Sequence, residues 1–172
     1  MARSAREPGL SQARAVAAYL VGLRPILTSA THARQAWVKR IGLLMADTSR
    51  GNPQLIAQQA GQIGRDHGAA FRDAQRALDR LKPPIECSAC HGSLVAWIEK
   101  LVQSCDVLTD IGRTGELRRM RETQSLLAEG RRYAQAFNDE YARLCQVLRD
   151  HVSAVKAKQA EAAAARPGRR PG

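Results

Sequence analysis

The sequence predicts an all-α protein, an antiparallel up-down-up-down four-helix bundle with disordered basic tails, and three observations predict it. The chain is 44% hydrophobic but only 4% aromatic; alanine and leucine dominate the apolar set, and few runs of valine, isoleucine or threonine favour sheet. Breaking residues cluster at three places, Gly51-Asn52-Pro53, Lys82-Pro83-Pro84 and Gly112 to Gly115. Between these places apolar residues recur at alternating steps of three and four, the seam of a helix packed in a bundle. Short connections between long helices make neighbours antiparallel.

The first helix is expected from about Ser11 to Asp47, with Pro25 kinking it because proline removes a backbone donor. In the turn that follows, Asn52 can cap the next helix and Pro53 can take its first position. The second segment runs from Pro53 to about Leu81, with a seam of Ile56, Ala60, Ile63, His67, Ala70, Ala74, Ala77 and Leu81 flanked by Phe71 and Leu78. Its alanines suit close approach of a neighbour. The third begins after Pro83-Pro84, since neither proline continues a helix, and ends at Gly112. Cys87, His91, Leu94, Ile98, Leu101, Cys105 and Leu108 form its seam.

Thr114 is the candidate cap of the fourth segment, whose seam is Leu127, Gly130, Ala134, Phe137, Tyr141, Leu144 and Leu148. Folding the third segment on the fourth about residues 113–114 sets residue n opposite roughly residue 227 minus n, which puts Cys90 level with Phe137 and off the core seam. The domain organisation is a disordered tail over 1–9, the bundle over 10–155 and an Ala/Arg/Pro/Gly-rich basic tail over 156–172, which has no large apolar face to bury.

The formal net charge is +11. Residues 1–14 carry Arg3, Arg6 and Arg14 against Glu7, and residues 153–172 carry Lys156, Lys158, Arg166, Arg169 and Arg170 against Glu161. A nucleic-acid-associated role through these basic tails is one alternative, but no basic stripe interleaved with aromatics accompanies them. The longest apolar run, Ala15 to Leu23, has nine residues, about half of the roughly 18–20 that a membrane span needs. Arg24-Pro25 follows that run without a small-x-small cleavage site, so a cytoplasmic location is expected ahead of export. No Gly-rich phosphate loop, Gly-x-Ser-x-Gly or His-Glu-x-x-His occurs, and a non-enzymatic role is expected.

The most informative local chemistry is Cys87-Ser-Ala-Cys90-His91. Burial alone can account for Cys87 and His91 on the seam, because free cysteine is among the most buried residue types. The same residues offer a cofactor alternative. In covalent haem attachment Cys87 and Cys90 would form thioethers and His91 would be the axial ligand; these positions resemble the attachment motif of c-type cytochromes. In a zinc site Cys87, Cys90 and His91 would be joined by Cys145 or Glu86. A dithiol role for Cys87 near a helix N-terminus is a third use, and no βαβ pattern accompanies it. A di-iron site pairing the levels of His32 and His67 lacks the Glu-x-x-His such bundles use.

Several positions together carry a wider resemblance: Tyr19-Leu20, Ala77-Leu78, Leu81 leading into Pro83-Pro84, His91 and Thr114-Gly115. In these the chain resembles a loose class of bacterial four-helix-bundle domains with a Leu-x-Pro-Pro turn followed by a histidine and no assigned biochemistry. The resemblance implies that His91 marks a structural position between the second and third helices. Together these readings give a binding or structural protein that engages a protein partner or itself, through the first helix or the basic tails.

Overall fold

The computed structural model describes residues 9–47 and 51–164, and among them there are four α-helices and no strand. The helices are α1 (Leu10–Asp47), α2 (Pro53–Arg80), α3 (Ser88–Thr114) and α4 (Met120–Ala164), with short 3-10 turns at Ile85–Cys87 and Leu117–Arg119. The expectations of disorder at residues 1–8 and 165–172 lie outside the described residues.

α1 contains Pro25 and remains one helix across it. α2 starts as its sequence requires: Asn52 Oδ1 accepts the Gln54 backbone N–H at 2.9 Å, and Pro53 takes the first helical position. Proline at 83 and 84 ends α2 and delays the next α-helix, so the chain passes through the 3-10 turn before α3 begins.

The far end of α3 differs from expectation. The helix runs past Gly112 to Thr114, and Gly115 supplies the left-handed cap with φ 76°, its N–H bonding Ile111 O at 2.8 Å. Thr114 does not cap α4; its hydroxyl donates to Asp110 O, closing α3 instead. α4 extends to Ala164, so residues 156–164, placed in the tail by their lack of an apolar face, are helical and exposed.

α3 is the central helix. It packs along both α2 and α4, whereas α1 packs mainly on α2 and touches α4 lightly. Two-sided packing broadens its buried surface beyond one seam, to Cys90, Leu94, Trp97, Ile98, Leu101, Ser104, Cys105, Leu108 and Ile111. The α2–α3 approach is closer than alanines would permit. A methyl group built on Gly64 would lie 2.4 Å from Cys105 O, and one on Gly112 would lie 2.5 Å from Gly61 Cα. Glycine at 61, 64 and 112 lets the two backbones nearly touch.

The buried face of α2 keeps Ile56, Ala60, Ile63 and Ala74 of the expected seam and the flanking Phe71 and Leu78, and adds Gly61, Gly64 and Gly68, while His67, Ala70, Ala77 and Leu81 are only half-buried. Phe71 stands edge-on to Trp37 of α1 with ring centroids 5.8 Å apart, and both rings are buried completely. Ion pairs fix the level of α3 against α4 and the turn before it: Lys100 with Glu129 of α4 at 2.7 Å and Asp110 with Arg119 of the second 3-10 turn at 3.4 Å. These pairs sit two residues from the expected reflection, the room taken by the second 3-10 turn.

Candidate functional site

The CxxCH residues gather where α1, the first 3-10 turn, α3 and α4 meet. Cys87 closes the 3-10 turn, and Cys90 and His91 lie in the first turn of α3. Both cysteines are fully buried. Cys90 was expected off the seam, and that expectation is overturned: packing of α3 on both neighbours encloses the flank of the helix that carries it. Burial pushes the Cys90 thiol up to about 12, with Cys87, Glu140 and Cys145 adding to the rise and Arg143 opposing it. Burial also raises Cys87, helped by Glu86 and opposed by Arg143. A thiolate is the reactive form, so the environment quiets these thiols.

His91 is engaged by α1. Its Nδ1 lies 3.0 Å from the Tyr19 hydroxyl, and the two rings are tilted at 57°. Burial depresses the imidazole, with Asp79 pulling the other way, and burial raises the phenol, assisted by Cys90 and Cys87. The pair is therefore neutral near pH 7. Gln12 bonds Glu86 just outside it, so two polar contacts tie the N-terminal half of α1 to the first 3-10 turn and the start of α3.

Cys145 of α4 lies on the Cys90 side of the junction. It is half-buried, is in hydrogen-bond contact with Tyr141 and is close enough to Cys90 to affect its ionisation. All four cysteines are free. Cys87, Cys90, His91 and Cys145 thus share one neighbourhood without forming a ligand set, and no group of three or more His, Cys, Asp or Glu side chains among the described residues is arranged to hold a metal ion. His32 and His67 are not brought together either. His32 is exposed on α1, and the half-buried His67 has an Nε2 without a hydrogen-bond partner.

A second region stands out on the outer side of α1. Leu10, Val21, His32 and Leu43 recur every eleven residues, about three helical turns, and so share one line. All four are exposed, Val21 by 73%, Leu43 by 62% and Leu10 by 59%. Between them lie Arg14, Ala18, Thr28, Ala36 and Lys39, also exposed. A shallow depression opens on this side at Pro25, Thr28, Ser29, His32 and Ala33.

Charge is segregated onto the same helix. Residues 10–46 carry five basic side chains and no acidic one, whereas residues 51–152 carry fourteen basic against thirteen acidic. Over residues 51–152 seven of the fourteen basic side chains form salt bridges, as in Arg72 with Asp106, Lys100 with Glu129 and Arg143 with Glu140. On α1 only Arg40 finds a carboxylate, Asp66 at 2.6 Å; Arg14, Arg24, Arg34 and Lys39 form no salt bridge among the described residues. The signal for this face, the absence of aspartate and glutamate across 37 residues, is present in the sequence.

Compared with known proteins, the chain matches no family model, no curated protein and no solved structure. No helix among the described residues is long and apolar enough to cross a membrane.

Proposed function

We propose that the protein is a non-enzymatic binding protein, a bundle of four helices alternating in direction that presents the outer face of α1 to a protein partner. The observation that carries this reading is the line of Leu10, Val21 and Leu43 on that face. Single exposed aliphatics are ordinary on any surface, but three on one helical line, with Ala18, Thr28 and Ala36 and the cations Arg14 and Lys39 between them, offer spaced apolar anchors for another helix. Alternating direction is supported by the level pairs: Gly61 meets Gly112 while Gly68 meets Cys105, and Asp110 meets Arg119 while Lys100 meets Glu129.

Photo-crosslinking in the cells that make the protein tests the reading. A benzophenone amino acid in place of Val21 is expected to capture a protein that the same group in place of Arg131, on the exposed side of α4, does not. Equal capture from both positions, or none from position 21, overturns it.

A further inference from the structure

We propose that the partner of the α1 outer face is an acidic amphipathic helix, one whose leucine-like residues lie against Leu10, Val21 and Leu43 and whose glutamates or aspartates reach Arg14, Arg24 and Lys39. The inference rests on the reading of α1 as the docking face and adds the chemistry of what docks.

Charge complementarity selects this occupant. Four cations on α1 are without salt bridges, and the helix has no carboxylate over residues 10–46. Pairing them at a partly dehydrated contact speeds association and rejects basic partners. A second copy of the chain brings its own Arg14, Arg24 and Lys39 to such a contact, and like charges oppose it. The chain's own ends do not fit either: residues 1–8 hold two arginines and one glutamate, and residues 165–172 hold three arginines and no acid.

Spacing separates a peptide helix from the other polyanions. Leu10, Val21 and Leu43 stand eleven or twenty-two residues apart, about 16 and 33 Å along the axis. An eleven-residue period stays almost in step with an α-helix, so a straight partner can follow it from end to end. An anionic membrane calls for a continuous apolar strip, with tryptophan or phenylalanine, whereas Tyr19 and Trp37, the aromatics of α1, are buried in the core. Nucleic acid gains from stacked aromatics and closely set cations, and here the cations are interrupted by aliphatics that a phosphate backbone would leave unsatisfied. The depression at Pro25 and His32, midway along the line, gives a bulky partner side chain a place to seat.

The full chain is tested by fluorescence anisotropy against a labelled 33-residue model helix with leucines at three- and four-residue steps flanked by glutamates. Comparison probes are the same peptide with glutamine for glutamate, the same with lysine, a 30-nucleotide single-stranded DNA and vesicles of anionic phospholipid. The acidic peptide is expected to bind at least tenfold tighter than the glutamine peptide, and the lysine peptide is expected not to bind. The double variant Val21→Asp/Leu43→Asp and the double variant Arg14→Glu/Lys39→Glu should each weaken the acidic peptide by at least tenfold, while Arg131→Glu/Arg132→Glu on α4 leaves it within twofold. Circular dichroism and melting of each variant show that the bundle is intact. Equal affinity for the acidic and glutamine peptides, lost with Val21→Asp/Leu43→Asp, keeps α1 as the docking face and overturns the acidic partner. Loss of binding with the α4 variant, or no peptide binding at all, overturns the proposal. Tighter binding of DNA or vesicles through Arg14 and Lys39 overturns it in favour of that polyanion, and concentration-dependent dimers abolished by Leu43→Asp overturn it in favour of a second copy.

Discussion

The α2–α3 contact and the outer face of α1 are built from similar residues, yet one closes completely and the other stays open. Between α2 and α3 the side chains at the crossing shrink to glycine, backbone approaches backbone, and phenylalanine and leucine fill the space on either side. On the outside of α1, aliphatics of the same kind are set eleven or twenty-two residues apart among unpaired arginine and lysine. Apolar content alone therefore does not bury a helix face. Burial needs a neighbour able to come close and a charge pattern that does not resist it.

The sharpest way to break the closed region is Phe71→Ala. The ring is fully buried against Trp37, and its loss should cost about 3–5 kcal/mol in urea unfolding, with Val21→Ala, its counterpart on the open face, staying within about 0.5 kcal/mol.

Gly64→Ala probes the backbone approach directly. Its methyl group has no space between Cys105 O and Thr109 N, and about 3 kcal/mol of destabilisation is expected. Gly42 on α1 has nothing within 4 Å of the same construction, so Gly42→Ala should instead stabilise by about 0.5–1 kcal/mol. Opposite signs for one chemical change would confirm the contrast, and equal signs would erase it.

Acid should loosen the closed side through two histidines. His67 and His91 are both depressed, chiefly by burial. A depressed histidine contributes its stability above the unfolded value of about 6.5 and loses it as pH falls through the lower folded value. The urea midpoint should hold from pH 8 to 7 and decline below about 6.5, and the decline above pH 5 should flatten in His67→Asn/His91→Asn.

The smallest effect concerns thiol access. Cys145 is half-buried while Cys87, Cys90 and Cys105 are buried, with Cys90 and Cys105 each pushed up to about 12 mainly by burial. Iodoacetamide on the native protein at pH 8 should modify Cys145 first, and mass spectrometry after tryptic digestion reads the order. Early labelling of Cys90 would show that the helix junction opens.

Much of the fold was legible. Asn52-Pro53 and Pro83-Pro84 bracket α2, because caps and prolines act locally through hydrogen bonds that two or three residues settle. The seam of α3 was legible for the same reason of period. The seam of α2 was legible at Ile56, Ala60, Ile63 and Ala74 but not at Gly64 and Gly68, which look like weak core candidates until the closeness of α3 makes them the contact. The CxxCH motif was visible and its surroundings were not: the Tyr19–His91 bond spans 72 residues, a separation no local pattern encodes.

By itself the sequence determined where α2 starts and stops, that the prolines separate α2 from α3, and that residues 10–46 carry no acid, because these are written in residue type and near-neighbour order. Tertiary structure decided that Cys90 is buried, that α2 turns its glycines inward and that the aliphatic line of α1 faces outward. Each of these depends on how many neighbours a helix has and how near they come. α3 has close neighbours on two sides, whereas α1 is packed mainly on one.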